Sequence, residues 1–120
     1  MNEKKSAARE PEELPRLFLE FANAGDADGL ASLYEENAVL AAGDVVATGR
    51  SAIREFYANL LQRRSEFPAP RLLAPLRAGE LALTSAVSGE LAVSAEIARQ
   101  QPDGSWLWVV DQLKISVGSR

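Results

Sequence analysis

Leu14, Leu17, Phe18 and Phe21 recur at intervals that put them on one face of a helix. The run opens with Glu10-Pro11-Glu12-Glu13. There a proline fits the first turn and acidic residues meet the positive end of the helix dipole. The pattern extends to about Ala24, with Gly25 as a left-handed stop, and Asp26 is placed to cap a second helix whose apolar residues are Leu30, Leu33 and Tyr34. After Glu35-Glu36-Asn37 the period changes: Val39-Leu40 and Val45-Val46 flank a Gly43-Asp44 turn and predict a short hairpin. Thr48-Gly49-Arg50-Ser51 opens a third helix carrying Ile53, Phe56, Tyr57, Leu60 and Leu61 on one face, stopped by Phe67-Pro68-Ala69-Pro70. Extended runs fill the remainder: Arg71 to Ala78, broken by Pro75, then Leu81 to Val87, Leu91 to Gln100 and Trp106 to Val117. Their joints, Gly79-Glu80, Ser88-Gly89 and Pro102 to Ser105, are short enough for hairpins and predict an antiparallel meander.

Helices followed by strands predict an α+β domain with the helices on one side of a curved antiparallel sheet. The last two strands are apolar on both alternating faces. Trp106, Trp108 and Val110 lie on one face of the final strand and Leu107, Val109 and Leu113 on the other. A second apolar face needs a cover, and the simplest is another copy of the chain, giving a homodimer through the sheet. A tail or helix of the same chain is the alternative.

Composition narrows the chemistry. The 120 residues are 47% hydrophobic with a net charge of −4, which fits one domain, residues 10–120, behind a polar tail, residues 1–9. With neither cysteine nor histidine, the chain has no disulfide, no thiol nucleophile, no imidazole base and no metal site of the usual nitrogen and sulfur kind. No cofactor is expected, so chemistry falls to carboxylates, tyrosines or water. The lysines are Lys4, Lys5 and Lys114, too few and too peripheral for a Schiff base. The acidic balance without a basic cluster argues against nucleic acid, and no apolar stretch is long enough to span a bilayer. A cytoplasmic protein is the expectation.

The stretch FANAGDADGLASLYEENAVL followed by GDVVATGRSAIREFYANLL resembles the nuclear transport factor 2-like superfamily in its SnoaL-like and ketosteroid-isomerase-like branch, and AEIARQQPDGSWLWVVDQ resembles the last hairpin of the same group. The resemblance implies a cystatin-like cone, three N-terminal helices wrapped by a curved sheet, with a pocket in the open end and commonly a homodimer. In the isomerase a carboxylate base moves a proton beside a ketone while a tyrosine and a protonated acid hold the enolate oxygen. Carried over residue by residue, the oxyanion tyrosine falls on Phe18, the base on Ala42 and the oxyanion acid on Glu96, while Tyr34 and Tyr57 fall where supporting pocket tyrosines lie. Phenylalanine has no hydroxyl and alanine takes no proton, so steroid isomerisation is not expected. A gap near Gly43 would leave Asp44 as the nearest substitute base.

With a turn at Pro102 to Ser105, Glu96 and Asp111 lie on neighbouring strands. The resemblance puts Leu107, Val109, Asp111 and Leu113 on the pocket face beside Glu96. Two carboxylates in an apolar hollow do not easily ionise together, which leaves an acid next to a base. Such a pair suits proton transfer on a small apolar ketone, enol or lactone. The alternatives are a non-catalytic small-molecule-binding or protein-interaction module of the same fold, and a structural role with Glu96 or Asp111 tied to a tyrosine or a helix amide or wet at the rim. An epoxide hydrolase would need an arginine between the acids, and Arg99, three residues after Glu96, is turned to the opposite face.

Overall fold

The computed structural model describes residues 7–88 and 92–116. Helix α1 spans Glu13–Asn23, and Gly25 takes the left-handed conformation expected of a stop, with φ +69°. Helix α2, Ala27–Ala31, is capped by Asp26, whose carboxylate accepts the Gly29 N–H at 2.9 Å. It ends sooner than the apolar pattern predicts. The Ser32 hydroxyl donates to the Gly29 carbonyl at 2.6 Å, and the Leu33 carbonyl accepts the Trp108 N–H at 2.8 Å, which hands the backbone over to the sheet. Tyr34, expected at the end of the second helix, is therefore the first residue of strand β1, Tyr34–Ala42.

Strand β2, Val45–Thr48, forms the expected hairpin with β1, and α3, Arg50–Arg63, follows. The interrupted run becomes β3, Arg71–Leu72, and β4, Leu76–Ala78; then come β5, Leu81–Ser88, β6, Ala92–Gln100, and β7, Trp106–Ser116. Expected strand or turn positions Gly89, Leu91 and Val117 fall outside the described residues. Of the expected tail, residues 7–9 are described, and Ala8 is buried and bridges Trp106, its carbonyl accepting the Trp106 N–H at 2.9 Å. No helix among the described residues is long and apolar enough to cross a membrane.

The strand order is β2-β1-β7-β6-β5-β3, with β4 also paired to β5. The expected antiparallel meander is present in β5, β6 and β7, but the sheet as a whole is mixed because β1 runs parallel to β7. The chain leaves β1 through β2 and α3 and returns to β1's side only with its last strand, and such a long crossover permits parallel pairing. The core cluster, including Leu14, Leu30, Leu40, Ile53, Tyr57 and Trp106, fills the space between helices and sheet.

Strand β7 decides which side chains face that space. Ile97 pairs with Val110 and the next residue, Ala98, pairs with Trp108, so Val109 is an extra residue, a bulge. Further along, Val93 pairs with Ile115 and Ala95 with Gln112, which sets Leu113 and Lys114 against the single residue Ser94. The first bulge shifts the alternation by one. Trp106 and Trp108, expected on an outer dimer face, are buried on the inner face together with Asp111, while Val110 is turned out and exposed. The expectation that Leu107 and Val109 share the inner face with Asp111 fails for the same reason.

Gly29 packs tightly, since a Cβ there would stand 2.4 Å from the Phe21 ring and force it to shift. Gly29→Ala is expected to destabilise the fold by about 1–3 kcal/mol, read as a lower urea midpoint with an unchanged slope.

Candidate functional site

A cavity of about 600 Å³ opens between α1, α3, the segment after α3 and the inner face of β5 to β7, within the range of small-molecule sites. Its walls are apolar, with Phe18, Phe56, Leu60, Phe67 and Leu113 among them. The segment after α3 is pinned in place by Asn23 of α1, whose side-chain amide donates to the Phe67 carbonyl at 3.1 Å while its oxygen accepts the Phe67 N–H at 2.8 Å. Phe18 packs edge-on against Tyr57 and Trp108, with ring centroids 5.7 and 6.2 Å apart.

The floor is polar. Glu96 and Asp111 are direct partners across β6 and β7, both are buried, and both line the cavity. Behind Asp111, the Tyr34 hydroxyl donates to its Oδ2 at 2.5 Å and lies 2.7 Å from the Tyr57 hydroxyl. Tyr34 donates its one proton to Asp111, so Tyr57 is the donor to Tyr34, and the chain of bonds runs toward the carboxyl group. Asp111 Oδ1 has no partner among the described residues. Glu96 is held separately: Thr84 Oγ1 donates to Glu96 Oε1, and the Trp108 indole N–H donates to Thr84 Oγ1 at 3.1 Å.

Burial sets the protonation. Loss of water, reinforced by the charge of Glu96 and opposed by the Tyr34 hydrogen bond, pushes the Asp111 pKa up to about 8. Burial also raises Glu96, against the opposing hydrogen bonds of Ser94 and Thr84. Burial first, and then the Asp111 charge, hold both tyrosines well above the usual phenol range, so they remain donors. At neutral pH Asp111 is a carboxylic acid. Because Tyr34 donates to Oδ2, the acid proton sits on the unpartnered Oδ1.

Phe18, Ala42, Tyr57, Glu96, Asp111 and Leu113 are thus brought to one cavity. Tyr34 is fully buried one layer behind it, and Val109 is excluded by the bulge. Arg99 turns away and holds Glu35 with two bonds of 2.9 and 3.1 Å, so it does not stand between the acids. Among the described residues no three His, Cys, Asp or Glu side chains converge on a metal position. Sequence reasoning does not place Thr84 and Trp108 in the site. The alternation of β5 leaves open which of Thr84 and Ser85 faces in, and the orientation of Trp108 depends on a bulge that no residue type announces.

No family model and no curated protein sequence matches the chain. Solved structures do. A calcium/calmodulin-dependent protein kinase type II association domain, provisionally so named, from Thiobacillus denitrificans superposes with a TM-score of 0.78 at 12% identity, covering 95% of this chain and 100% of that one. A protein from Streptomyces avermitilis, provisionally named a dehydratase of the nuclear transport factor 2-like family, gives 0.73 at 18% identity over 90% and 94%. One from Shewanella frigidimarina, provisionally named a ketosteroid isomerase, gives 0.69 at 10% over 83% and 90%. Three helices packed on a mixed sheet, the arrangement this chain shares with these solved structures, are the nuclear transport factor 2-like, cystatin-like fold.

Proposed function

We propose that the cavity takes up a small, mostly apolar ketone, enol or lactone and that Asp111 and Glu96 act on it as acid and base. The observation that carries this reading is the buried carboxyl pair, with Asp111 Oδ1 unpartnered at the floor of an apolar cavity. An orphaned buried polar atom costs free energy unless something pairs with it, and a ligand oxygen is the partner the site lacks. Asp111 Oδ1–H donates to that oxygen, backed by Tyr34 and Tyr57. Glu96 is less buried and steadied by Thr84, so it ionises first and takes a proton from the carbon beside the carbonyl. Returning the proton to a different atom isomerises the compound; expelling a neighbouring hydroxyl, with a proton for the leaving water, dehydrates it. Those are the reaction classes in the names of two structural neighbours.

Phe18 and Ala42 favour a second reading, a non-catalytic binding module, because both line the cavity where the isomerase pattern has a hydroxyl and a carboxylate. Deuterium exchange at the α-carbon of β-tetralone, followed by proton NMR, separates the two. Catalysis predicts exchange above the buffer rate that falls about a hundredfold in Glu96→Gln with ketone binding retained. Ketone bound without accelerated exchange would leave the binding module.

The pH dependence has a fixed sign. A buried carboxyl with a raised pKa keeps its proton in the folded state while the unfolded chain has already lost it. Its contribution to stability is therefore complete below about pH 4, where the unfolded group titrates, and is lost as pH rises through about 8. Urea midpoints of the wild type should decline across that window, and Asp111→Asn should flatten the decline.

We propose further that a second copy covers the outer face of the sheet. Leu76, Leu83, Ile97 and Val110 form one row of register partners across β4 to β7, and all four are exposed. An exposed apolar row of this kind marks an interaction surface, and a two-fold would lay it against itself. Wild-type protein is expected to sediment at twice 13.0 kDa and Ile97→Lys as the single chain; a wild-type monomer at micromolar concentration would refute the interface.

A further inference from the structure

The charges around the cavity are sorted by depth. The acids lining it, Glu96 and Asp111, are buried at the floor, and the cations lining it, Arg64 and Lys114, are exposed at the mouth. Arg64 is held there by Phe67, with its guanidinium 4.6 Å from the ring centroid, and its Nε donates to the Glu66 carbonyl at 3.1 Å. Neither cation forms an ion pair with a described residue, although acids outnumber bases 17 to 13 in this chain.

Two independent elements fix the distance from floor to mouth. On β7, Asp111 and Lys114 are three residues apart, about 8–10 Å along a bulged strand. On α3 and its exit, Tyr57 and Arg64 are seven residues apart, about 10 Å at the helical rise. Between these levels the wall is Phe56, Leu60, Phe67 and Leu113.

We propose that the ligand is an amphipathic carboxylate: an anionic head between Arg64 and Lys114, an apolar body along the aromatic and aliphatic wall, and a carbonyl or hydroxyl oxygen on Asp111 about 10 Å from the head. This rests on the reading of the cavity as a small-molecule site and adds the ligand's class and direction of entry. The charge of Glu96 repels the carboxylate from the floor and the rim cations disfavour an ammonium compound at the mouth, so the polarity of the cavity orients what it binds.

Three probes of one length test this by calorimetric titration: 9-oxodecanoate, its methyl ester and 10-amino-2-decanone. Wild type is expected to bind the acid about three- to tenfold more tightly than the ester, since exposed ion pairs are individually weak, and the preference should shrink with added salt. The double variant Arg64→Gln/Lys114→Gln should bind acid and ester alike while keeping its affinity for the ester, which also reports that it is folded. Equal binding of acid and ester by wild type, a preference that survives in the double variant, or tighter binding of the amine would each overturn the carboxylate inference and leave the cavity reading standing. Binding of none of the three to wild type would overturn both.

Discussion

A carboxyl group kept from water is the constraint on which the rest of this structure turns. Asp111 is almost completely buried, and one of its oxygens is satisfied only because Tyr34 stands on the parallel neighbour strand and donates to it. An isolated buried carboxylate costs far more free energy than such a fold can spare, so the group keeps its proton instead. Tyr34 in turn is oriented by Tyr57 from α3, which ties the first strand, the last strand and the third helix together through three side-chain oxygens. The parallel pairing of β1 with β7, the feature that distinguishes this sheet from a simple meander, is what brings Tyr34 within reach.

Most of the element order was legible in the sequence because it rests on local rules. Gly25, Asp26 and the apolar stripes of α1 and α3 act within a few residues, and the structure follows them. The neighbourhood of Glu96 and Asp111 was legible as well, because a short turn at Pro102 to Ser105 leaves few registers for the strands on either side. What could not be read depends on tertiary context. Tyr34 belongs to a helical stripe by spacing and to a strand in the structure, since the sheet claims the backbone from Leu33 onward. Strict alternation puts Trp106, Trp108 and Val109 on the wrong faces because it fails at one bulge. Neither the crossover nor the bulge has a residue signature.

The two carboxyl groups show how partners, more than residue type, set behaviour. Both occupy neighbouring positions on one sheet face, yet one is backed by phenols and the other by a threonine hydroxyl that is itself held by an indole. The supporting set spans β1, α3, β5 and β7, so the difference between the two acids is a property of the whole fold. It also explains why Arg99, close in sequence, is irrelevant to the site: it belongs to the other face and is occupied by Glu35.

The extra residue at Val109 has a consequence for how this cavity can change over generations. Because Val109 opposes no partner of its own, a single-codon deletion at that point leaves Trp106, Trp108 and Asp111 on the sides they already face and removes only the local bend. A second slack position exists where Leu113 and Lys114 together oppose Ser94. A one-residue change of length in a regular strand turns every following side chain to the other face, whereas at these two places it leaves Asp111 on the inner face beside Glu96.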